Sequence, residues 1–303
     1  MDISSLRIAR DDESNGQEYL LAARCVVAGT GVFEAPMISK ETKQKVLCLL
    51  RDVGKMILEM QGDPAWRNVS SLEGFKTGGD QQAHSMLVAG LRDITPKIPV
   101  FSEETPHSID DRPSQYWLID PIDGTSSWHG GFDGYVTQLA LISNNDVELG
   151  AIYWPCRDRM FHADNAGAFV DKMPIQPPQR GNPPVLIDNY PEPRGIAAEL
   201  IEKKPELNYK ECGSLGLKSV LALTGEADLF VKDVTVRDWD MAPAMAFAKF
   251  GGGVCNLSGE PLVLGQKIEF DDGLIVSHDV ELVGEISLLL ANDDYWYQAD
   301  RER

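Results

Sequence analysis

The chain has 303 residues, of which 43% are hydrophobic and 25% are charged, and these are ordinary values for a folded globular protein. Its formal net charge of −19 gives a surface that repels nucleic-acid polymers and anionic membranes, so neither is expected as a partner. The chain has no run of about 18 apolar residues that would span a membrane, and its polar start has no apolar signal-peptide segment. Five scattered cysteines lack zinc-site spacing and fit buried thiols in a reducing compartment. A cytoplasmic location is therefore the default expectation.

Residues 1–40 contain one apolar stretch and are predicted to form an N-terminal arm that packs on the main body. Residues 41–172 are predicted to form an α+β half. Its first helix covers 41–60, where apolar side chains recur at three- and four-residue spacing and produce one apolar stripe. A second helix follows, and Asp80 is predicted to be its N-cap.

An antiparallel sheet is predicted next, because short apolar or alternating runs are separated by turn residues. These runs cover residues 99–102, 116–119, 135–142, 148–154 and 167–170. Seven prolines between residues 174 and 194 are interpreted as a linker between two halves of the chain.

Residues 173–303 are predicted to form an α/β half, because helical and strand patterns alternate along them. The predicted helices cover 195–203, 216–223, 241–250 and 280–291. The predicted strands cover 207–211, 228–231, 254–257 and 274–277.

The run DPIDGT at residues 120–125 directly follows an apolar strand and places the carboxylates of Asp120 and Asp123 three residues apart. A bare D-x-x-D pattern is more often an acidic surface turn, but the strand before it and the Gly-Thr pair after it favour a functional site. Two ionised carboxylates this close raise each other's pKa unless a cation lies between them. A hard divalent cation with oxygen ligands meets this need, and Mg²⁺ suits it best when a substrate phosphate completes the coordination.

The residues after this pair are suited to a phosphate. Gly124 permits a tight turn and a close approach of the backbone to a ligand. Thr125 and Ser126 offer hydroxyl groups and amides at a predicted helix start, where anions bind well.

Two further acidic segments have ordinary explanations when each is taken alone. Glu103 and Glu104 follow a short apolar run, and such pairs usually lie on solvated faces. Asp240 directly precedes the predicted helix at 241–250 and could be its N-cap.

Together, the three acidic segments resemble the inositol monophosphatase superfamily in their order and approximate spacing, over roughly residues 41–290. The matching segments are SEE at 102–104, the run from Trp117 to Thr125, and WDMA at 239–242 followed by Gly251-Gly252. The resemblance implies a layered αβαβα sandwich of the sugar-phosphatase type, in the α+β and α/β class. The SEE and DPIDGT segments would lie in the half 41–172 and the WD segment in the half 173–303, with the active site between them.

The resemblance also implies a metal site with two or three Mg²⁺ ions, for which Mn²⁺ could substitute. The implied ligands are the carboxylates of Glu103, Asp120, Asp123 and Asp240 and the carbonyl of Ile122. Bound ions would reverse the negative field that otherwise excludes an anionic substrate from so acidic a protein. Relatives of this kind are commonly homodimers and sensitive to lithium, so both properties are expectations for this chain.

Catalytic and substrate-binding residues follow from the same resemblance. Thr125 and Glu103 would orient and activate the attacking water, with support from Asp80. The implied substrate-binding residues are Gly124, Thr125, Ser126, Ser214 and Lys218. The last two lie in a G-S-x-x-x-K segment that resembles nucleotidases, where the lysine meets an additional phosphate or nucleotide group. A solvated helix lysine would give the same pattern.

Other positions leave the substrate open. His84 stands where many relatives carry an acid, and Ser126-Ser127-Trp128 matches neither the inositol phosphatase nor the nucleotidase branch. Ile122 is the choice of the inositol branch. The remaining histidines, His107, His129, His162 and His278, show no ligand pairing and are interpreted as surface or capping residues.

The leading hypothesis is Mg²⁺-dependent hydrolysis of a small phosphate monoester, of the inositol- or sugar-phosphate type, by a metal-activated water. A 3′(2′),5′-bisphosphate nucleotidase that converts adenosine 3′,5′-bisphosphate to AMP is the alternative enzyme. A catalytically silent relative that binds phosphate ligands or partner proteins is the alternative outside enzymes. The retained acidic residues argue against it, because a silent protein gains nothing from a costly cluster of like charges.

Overall fold

A computed structural model describes residues 38–67 and 76–291. The predicted N-terminal arm lies outside these ranges except for its last three residues. Helix α1, Lys40–Gln61, agrees with the predicted first helix. Its buried stripe includes Val46, Leu50 and Ile57 and packs against α2, Gly78–Ile94.

Asp80 is not the N-cap of α2, contrary to the prediction. The N-cap is Thr77, and Asp80 is the third helical residue, whose carboxylate accepts the Thr77 backbone N–H at 2.7 Å. This capping box turns the Asp80 carboxylate back toward the helix start and leaves the residue only 2% exposed.

The first sheet has seven strands in the order β1 to β7, as in the sequence. They are β1 Val100–Ser102, β2 Gln115–Asp123, β3 Val136–Ser143, β4 Asp146–Trp154, β5 Arg159–Asp164, β6 Gly167–Val170 and β7 Met173–Pro174. All neighbours are antiparallel except β1, which lies parallel to β2. The antiparallel prediction is thus confirmed apart from that edge, while β5 was missed because Arg159, His162 and Asp164 interrupt its apolar pattern.

The second sheet has the order β12-β14-β10-β8-β9. Its strands are β8 Val185–Asp188, β9 Asn208–Glu211, β10 Leu229–Lys232, β12 Gly253–Cys255 and β14 Leu274–Ser277. The short strands β11 Val236–Arg237 and β13 Glu269–Phe270 pair separately. The linker interpretation of residues 174–194 is wrong at β8, which pairs in parallel with both β9 and β10 inside the sheet.

Helices complete five layers. The remaining helices are α3 Thr125–Gly130, α4 Ile196–Lys203, α5 Leu215–Thr224, α6 Asp238–Ala248 and α7 Val280–Ala291. One apolar cluster joins α1 and α2 to the first sheet, a second places α5 and α6 between the two sheets, and a third joins α4 and α7 to the second sheet. The αβαβα sandwich is confirmed, whereas the division of the chain at residue 172 stays a prediction. None of the described helices has the length and apolarity that a membrane span requires.

Two histidines interpreted as surface or capping residues are buried instead. His162 on β5 stacks on Phe169 with ring centroids 5.0 Å apart, and His278 places Nδ1 3.1 Å from the Ala222 carbonyl oxygen. Burial, with the nearby Lys43 charge, lowers the pKa of His162 to about 4. The described cysteines are free thiols, and Cys212 and Cys255 are buried as expected, whereas Cys48 is exposed.

His162 is expected to make the free energy of unfolding depend on pH. Below its unfolded pKa of about 6.5 the unfolded chain binds a proton that the folded protein does not, so stability falls as the pH falls toward 4. Between pH 7 and pH 5 the wild type should lose about 2 kcal/mol more than His162→Phe, which keeps an aromatic ring against Phe169. Urea unfolding at both pH values measures this difference, and equal losses in the two proteins would contradict it.

Candidate active site

Three carboxylates from distant parts of the sequence meet between the two sheets. Asp120 and Asp123 lie at the end of β2, and Asp240 lies in the first turn of α6. One carboxylate oxygen from each lies within 4.8 Å of the others. Glu103, just after β1, lies near enough to the cluster that its charge raises the pKa of Asp120. The four acidic residues singled out in the sequence therefore converge.

Each carboxylate is held by the start of a helix or the end of a strand. A register irregularity in the β2–β3 pairing falls between Asp120 and Asp123 and lets both reach the same region. Asp123 Oδ2 accepts the Gly216 backbone N–H at 2.6 Å, so the first turn of α5 fixes it from the opposite side. Asp240 is the third residue of α6 and not its N-cap, and its Oδ2 accepts the Arg237 backbone N–H at 2.7 Å.

The electrostatics of this cluster call for a cation. Burial, followed by the charges of its acidic neighbours, raises the pKa of Asp120 and of Asp240 well above the usual range. Burial likewise raises the pKa of Glu103 to about 7, and Glu104 contributes. Among the described residues Asp120 Oδ1 is buried and has no hydrogen-bond partner. An all-oxygen donor set with an unpartnered buried oxygen fits a hard divalent ion such as Mg²⁺.

Thr125 and Asp80 form a hydrogen-bonded pair beside the cluster. The Thr125 hydroxyl lies 3.0 Å from Asp80 Oδ1 and 3.1 Å from the Ile122 carbonyl oxygen, and it has one proton to donate between them. The other Asp80 oxygen accepts from the backbone and hydroxyl of Thr77. With its proton committed, the Thr125 oxygen retains lone pairs that can accept a hydrogen bond from a water.

The short helix α3, which carries Thr125 and Ser126, is held in place by the residues at its start and by its tryptophan. Gly124 precedes it with φ +89°, a left-handed conformation that favours glycine. Trp128 is fully buried and donates its indole N–H to the Ile57 carbonyl on α1 at 2.8 Å. This tryptophan, which departs from both family branches, therefore fixes α3 against the first helix.

The loop before α5 crosses the end of the first sheet at very close range. Ser214 N–H donates to the Gly134 carbonyl oxygen at 2.7 Å. A Cβ atom on Gly213 would lie 1.7 Å from that same oxygen, and one on Gly124 would lie 2.7 Å from Ser214 Cβ. Only glycine fits at 213, because this crossing leaves no room for a side chain.

A cleft of about 590 Å³ opens beside the acidic cluster and reaches it at Glu103 and Asp123. Glu103, Asp123, Gly124, Thr125, Ser126 and Ser214 line it. Four basic side chains also line it: Lys76, Lys218, Lys232 and Arg237. In a chain with a net charge of −19, this local group of cations suits an anionic ligand.

Lys218 is buried, so the interpretation as a solvated helix lysine is wrong. It is 2% exposed, pairs with Asn189 Oδ1, and lies 3.6 Å from Asp188 Oδ1 and 4.7 Å from the Phe230 ring centroid. Burial lowers its pKa to about 8. Lys232 contacts both oxygens of the fully buried Asp188 at 3.0 Å.

Asp188, Asn189 and Lys232 were missed in the sequence. The first two end and follow β8, the strand taken for part of a linker. Glu104 and His84 each contact a neighbour of Glu103. Glu104 pairs with Lys76 at 3.1 Å, and His84 Nδ1 lies 2.9 Å from Ser102 Oγ.

A layered αβαβα sandwich with a buried all-oxygen acidic cluster between its sheets defines the class of metal-dependent sugar-phosphatase folds. The sequence model of the inositol monophosphatase family matches residues 41–285, and the chain belongs to that family.

Two relatives show how similar the sequence is. The 3′(2′),5′-bisphosphate nucleotidase CysQ of Escherichia coli O6:H1 is 30% identical over 228 residues, which cover 72% of this chain and 92% of the relative. A fructose-1,6-bisphosphatase/inositol-1-monophosphatase of Thermotoga maritima is 29% identical over 247 residues, with 78% and 94% covered.

Solved structures support the same fold. An IMPase from Thermotoga maritima superposes with a TM-score of 0.70 at 24% identity and covers 83% of this chain and 98% of its own. CysQ from Bacteroides thetaiotaomicron gives 0.66 at 21% identity, with 78% and 97% covered. The family resemblance is thus confirmed, and the chain is a metal-dependent phosphoric monoester hydrolase.

Proposed function

We propose that the protein hydrolyses a small phosphate monoester of the inositol- or sugar-phosphate type in a Mg²⁺-dependent reaction. The observation that carries this proposal is the convergence of Asp120, Asp123 and Asp240 within 4.8 Å, beside the Thr125–Asp80 pair and under an open cleft. Phosphoryl transfer needs positioning and charge neutralisation more than covalent work by the protein, and no nucleophilic side chain is required.

The metal ligands would be Glu103, Asp120, Asp123, Asp240 and the Ile122 carbonyl, holding two or three Mg²⁺ ions or Mn²⁺ in their place. When bound, the ions supply positive charge that polarises the phosphoryl oxygens and makes water more acidic. The Ile122 carbonyl oxygen has a second lone pair, so its contact with Thr125 at 3.1 Å does not exclude this role.

The protein's own groups would orient the water and the phosphate. Asp80, fixed by Thr77, holds the Thr125 proton, so the Thr125 oxygen accepts a hydrogen bond from the attacking water. The Glu103 carboxylate lines the same cleft and would accept a hydrogen bond from the second hydrogen of that water. The amides of Gly124 and Thr125 and the Ser126 hydroxyl would hold the phosphate.

A specific observation favours a second candidate, the 3′(2′),5′-bisphosphate nucleotidase. Lys218 lies buried at the wall of the cleft with Lys232 and Asn189, and the two lysines share the single carboxylate of Asp188. Such a wall suits a second phosphate. Ser214, the N-cap of α5, would contribute its hydroxyl group beside it.

A substrate panel separates the two candidates. Phosphate release would be measured with Mg²⁺ on inositol 1-phosphate, fructose 1,6-bisphosphate, histidinol phosphate and adenosine 3′,5′-bisphosphate, then repeated with Li⁺. The highest kcat/KM is expected on the inositol or sugar phosphates, with inhibition by Li⁺. No turnover on any ester with Mg²⁺ or Mn²⁺ would contradict the proposal and favour a silent relative.

Lys218→Met tests whether this lysine contacts a second phosphate of the substrate, because methionine fills a similar volume without a charge. For a nucleotidase, KM for adenosine 3′,5′-bisphosphate should rise about tenfold or more, the scale of one charge-assisted contact, while inositol 1-phosphate is affected much less. Lys210→Met, at an exposed position on β9, is the matched control. Equal effects on both substrates would argue against a second-phosphate contact.

A further inference from the structure

A buried arginine outside the cleft contacts the segments that deliver the carboxylates. Arg112 follows the short turn Ile109–Asp111, and its side chain is 2% exposed. Its guanidinium forms an ion pair with Asp238, the first residue of α6, whose side chain is 1% exposed. Nη1 binds Asp238 Oδ2, and Nη2 lies 3.4 Å from Oδ1, so both arms of the fork face the carboxylate.

The same guanidinium packs on both strands that precede the acidic residues. Its central carbon lies 5.7 Å from the centroid of the Phe101 ring on β1 and 5.3 Å from that of Tyr116 on β2. Phe101 stands two residues before Glu103, and Tyr116 four residues before Asp120. Arg112 therefore links the strands of the first sheet to the start of α6.

Arg112 also holds the loop that follows Glu103. His107 Nε2 lies 2.6 Å from Arg112 Nη2. Because arginine only donates, this nitrogen accepts, and His107 Nδ1 carries the proton that it donates to the Thr105 carbonyl at 2.8 Å. His107 is half-buried, and its contact with Thr105 caps the carbonyl of this loop.

The position of Asp240 depends on the turn that Asp238 begins. Asp240 Oδ2 is bound to the Arg237 backbone N–H, so the backbone of this turn sets the direction of the carboxylate. The turn has two other anchors. Asp238 N–H donates to the Ile268 carbonyl at 2.9 Å, and Gln138 Nε2 donates to the Trp239 carbonyl at 3.1 Å. Arg112 joins this turn to β1 by an ion pair, and the His107 ring, which lies 5.9 Å from the Trp239 ring and 5.0 Å from the Phe101 ring, packs beside that link.

We propose that Arg112 is a positioning residue for the metal site, which sets the place of Asp240 relative to Glu103 and Asp120. The inference rests on the proposed function in one respect, that these carboxylates bind a divalent ion. A fully buried ion pair is a poor source of stability, because desolvation offsets its attraction and apolar replacements often serve as well. Its planar, two-armed geometry instead supplies orientation, and partners that orient metal ligands strongly affect metal affinity.

Three variants and a control separate an effect on metal binding from an effect on stability. Arg112→Met leaves Asp238 buried without a partner and should destabilise the protein. The double variant Arg112→Met/Asp238→Asn removes that charge and should regain much of the lost stability. Arg112→Lys keeps the charge without the two-armed fork and decides the question if Arg112→Met does not fold. Arg180→Met, which breaks a partly exposed ion pair with Asp279 at the start of α7, is the control.

Isothermal titration of Mg²⁺ into the substrate-free protein, together with urea unfolding of the metal-free protein, gives both readouts. The double variant and Arg112→Lys are expected to bind Mg²⁺ on the order of tenfold more weakly than the wild type, while Arg180→Met binds it unchanged. Wild-type affinity in the double variant and in Arg112→Lys would overturn the inference and leave the proposed function standing. A wild-type protein that takes up neither Mg²⁺ nor Mn²⁺ would overturn both.

Discussion

Asp120→Asn is expected to abolish turnover and, in the absence of metal, to make the protein more stable at neutral pH. Burial and the charges of Glu103, Asp123 and Asp240 raise the pKa of Asp120 well above its unfolded value. The metal-free folded protein therefore binds protons that the unfolded chain has already released. The contribution of Asp120 to stability is fully present below about pH 4 and is lost as the pH rises through the folded pKa. Asparagine fills the same space without a charge that needs a proton or a cation.

The measurement compares wild type and variant after chelation, by urea unfolding at pH 5 and pH 7.5. From pH 5 to pH 7.5 the wild type should lose stability relative to the variant, since the contribution of His162 is the same in both proteins. Mg²⁺ at 100 times its Kd should stabilise the wild type by about 2.7 kcal/mol, and the variant should gain little at the same concentration. Turnover should fall on the order of 1000-fold or more, the scale of losing one group that neutralises charge at the reacting centre.

Asp93→Asn, at an exposed position on α2, is the control for loss of a carboxylate. It should change neither turnover nor the pH dependence. Undiminished turnover in Asp120→Asn, or parallel stability curves for the variant and the wild type, would remove the basis for a metal site at this cluster.

Gly213→Ala is expected to have the largest effect of an alanine placed at any glycine that the structure describes. The new Cβ would lie 1.7 Å from the Gly134 carbonyl oxygen, so one of the two backbone segments must move. Overpacking of this kind costs about 1–3 kcal/mol of stability. The movement also carries Ser214 and the start of α5, whose Gly216 N–H holds Asp123. Because a displacement of about 1 Å can cost on the order of 100-fold in rate, kcat/KM should fall by about that factor.

Gly130→Ala provides a matched comparison within the same region. No heavy atom lies within 4 Å of a Cβ built on Gly130, and its backbone is helical. The control should keep wild-type stability and kcat/KM on the best substrate of the panel. If Gly213→Ala behaved like Gly130→Ala in urea unfolding and in kinetics, the close crossing would not constrain the active site.

The sequence predicted the elements whose signals are local. The apolar stripe of α1 is periodic, and the observed helix Lys40–Gln61 differs from the predicted 41–60 by one residue at each end. The acidic segments were found because each follows or precedes a regular element and matches a family pattern. Only the tertiary structure brings these segments together in space. The mutual repulsion of Asp120 and Asp123, three residues apart, nevertheless indicated a shared cation from the sequence.

Elements stabilised by their neighbours were missed. β8 has only four residues, which directly follow two prolines and end at Asp188. Its place in the sheet comes from parallel pairing with β9 and β10. That error hid Asp188 and Asn189, and with them the surroundings of Lys218. Asp240 was placed before its helix because the start of α6 depends on a capping box and on the buried Arg112–Asp238 pair, which lie 126 residues apart in sequence.

The acidic cluster draws on segments far apart in the chain, since Glu103 follows β1, Asp120 and Asp123 lie at the end of β2, and Asp240 lies in α6. In the proposed function, a partly synthesised or half-folded chain has no complete set of ligands, so the ion finds its site only in the finished molecule. Metal supply would then govern how long that molecule resists proteolysis, because the ion adds only to the native state.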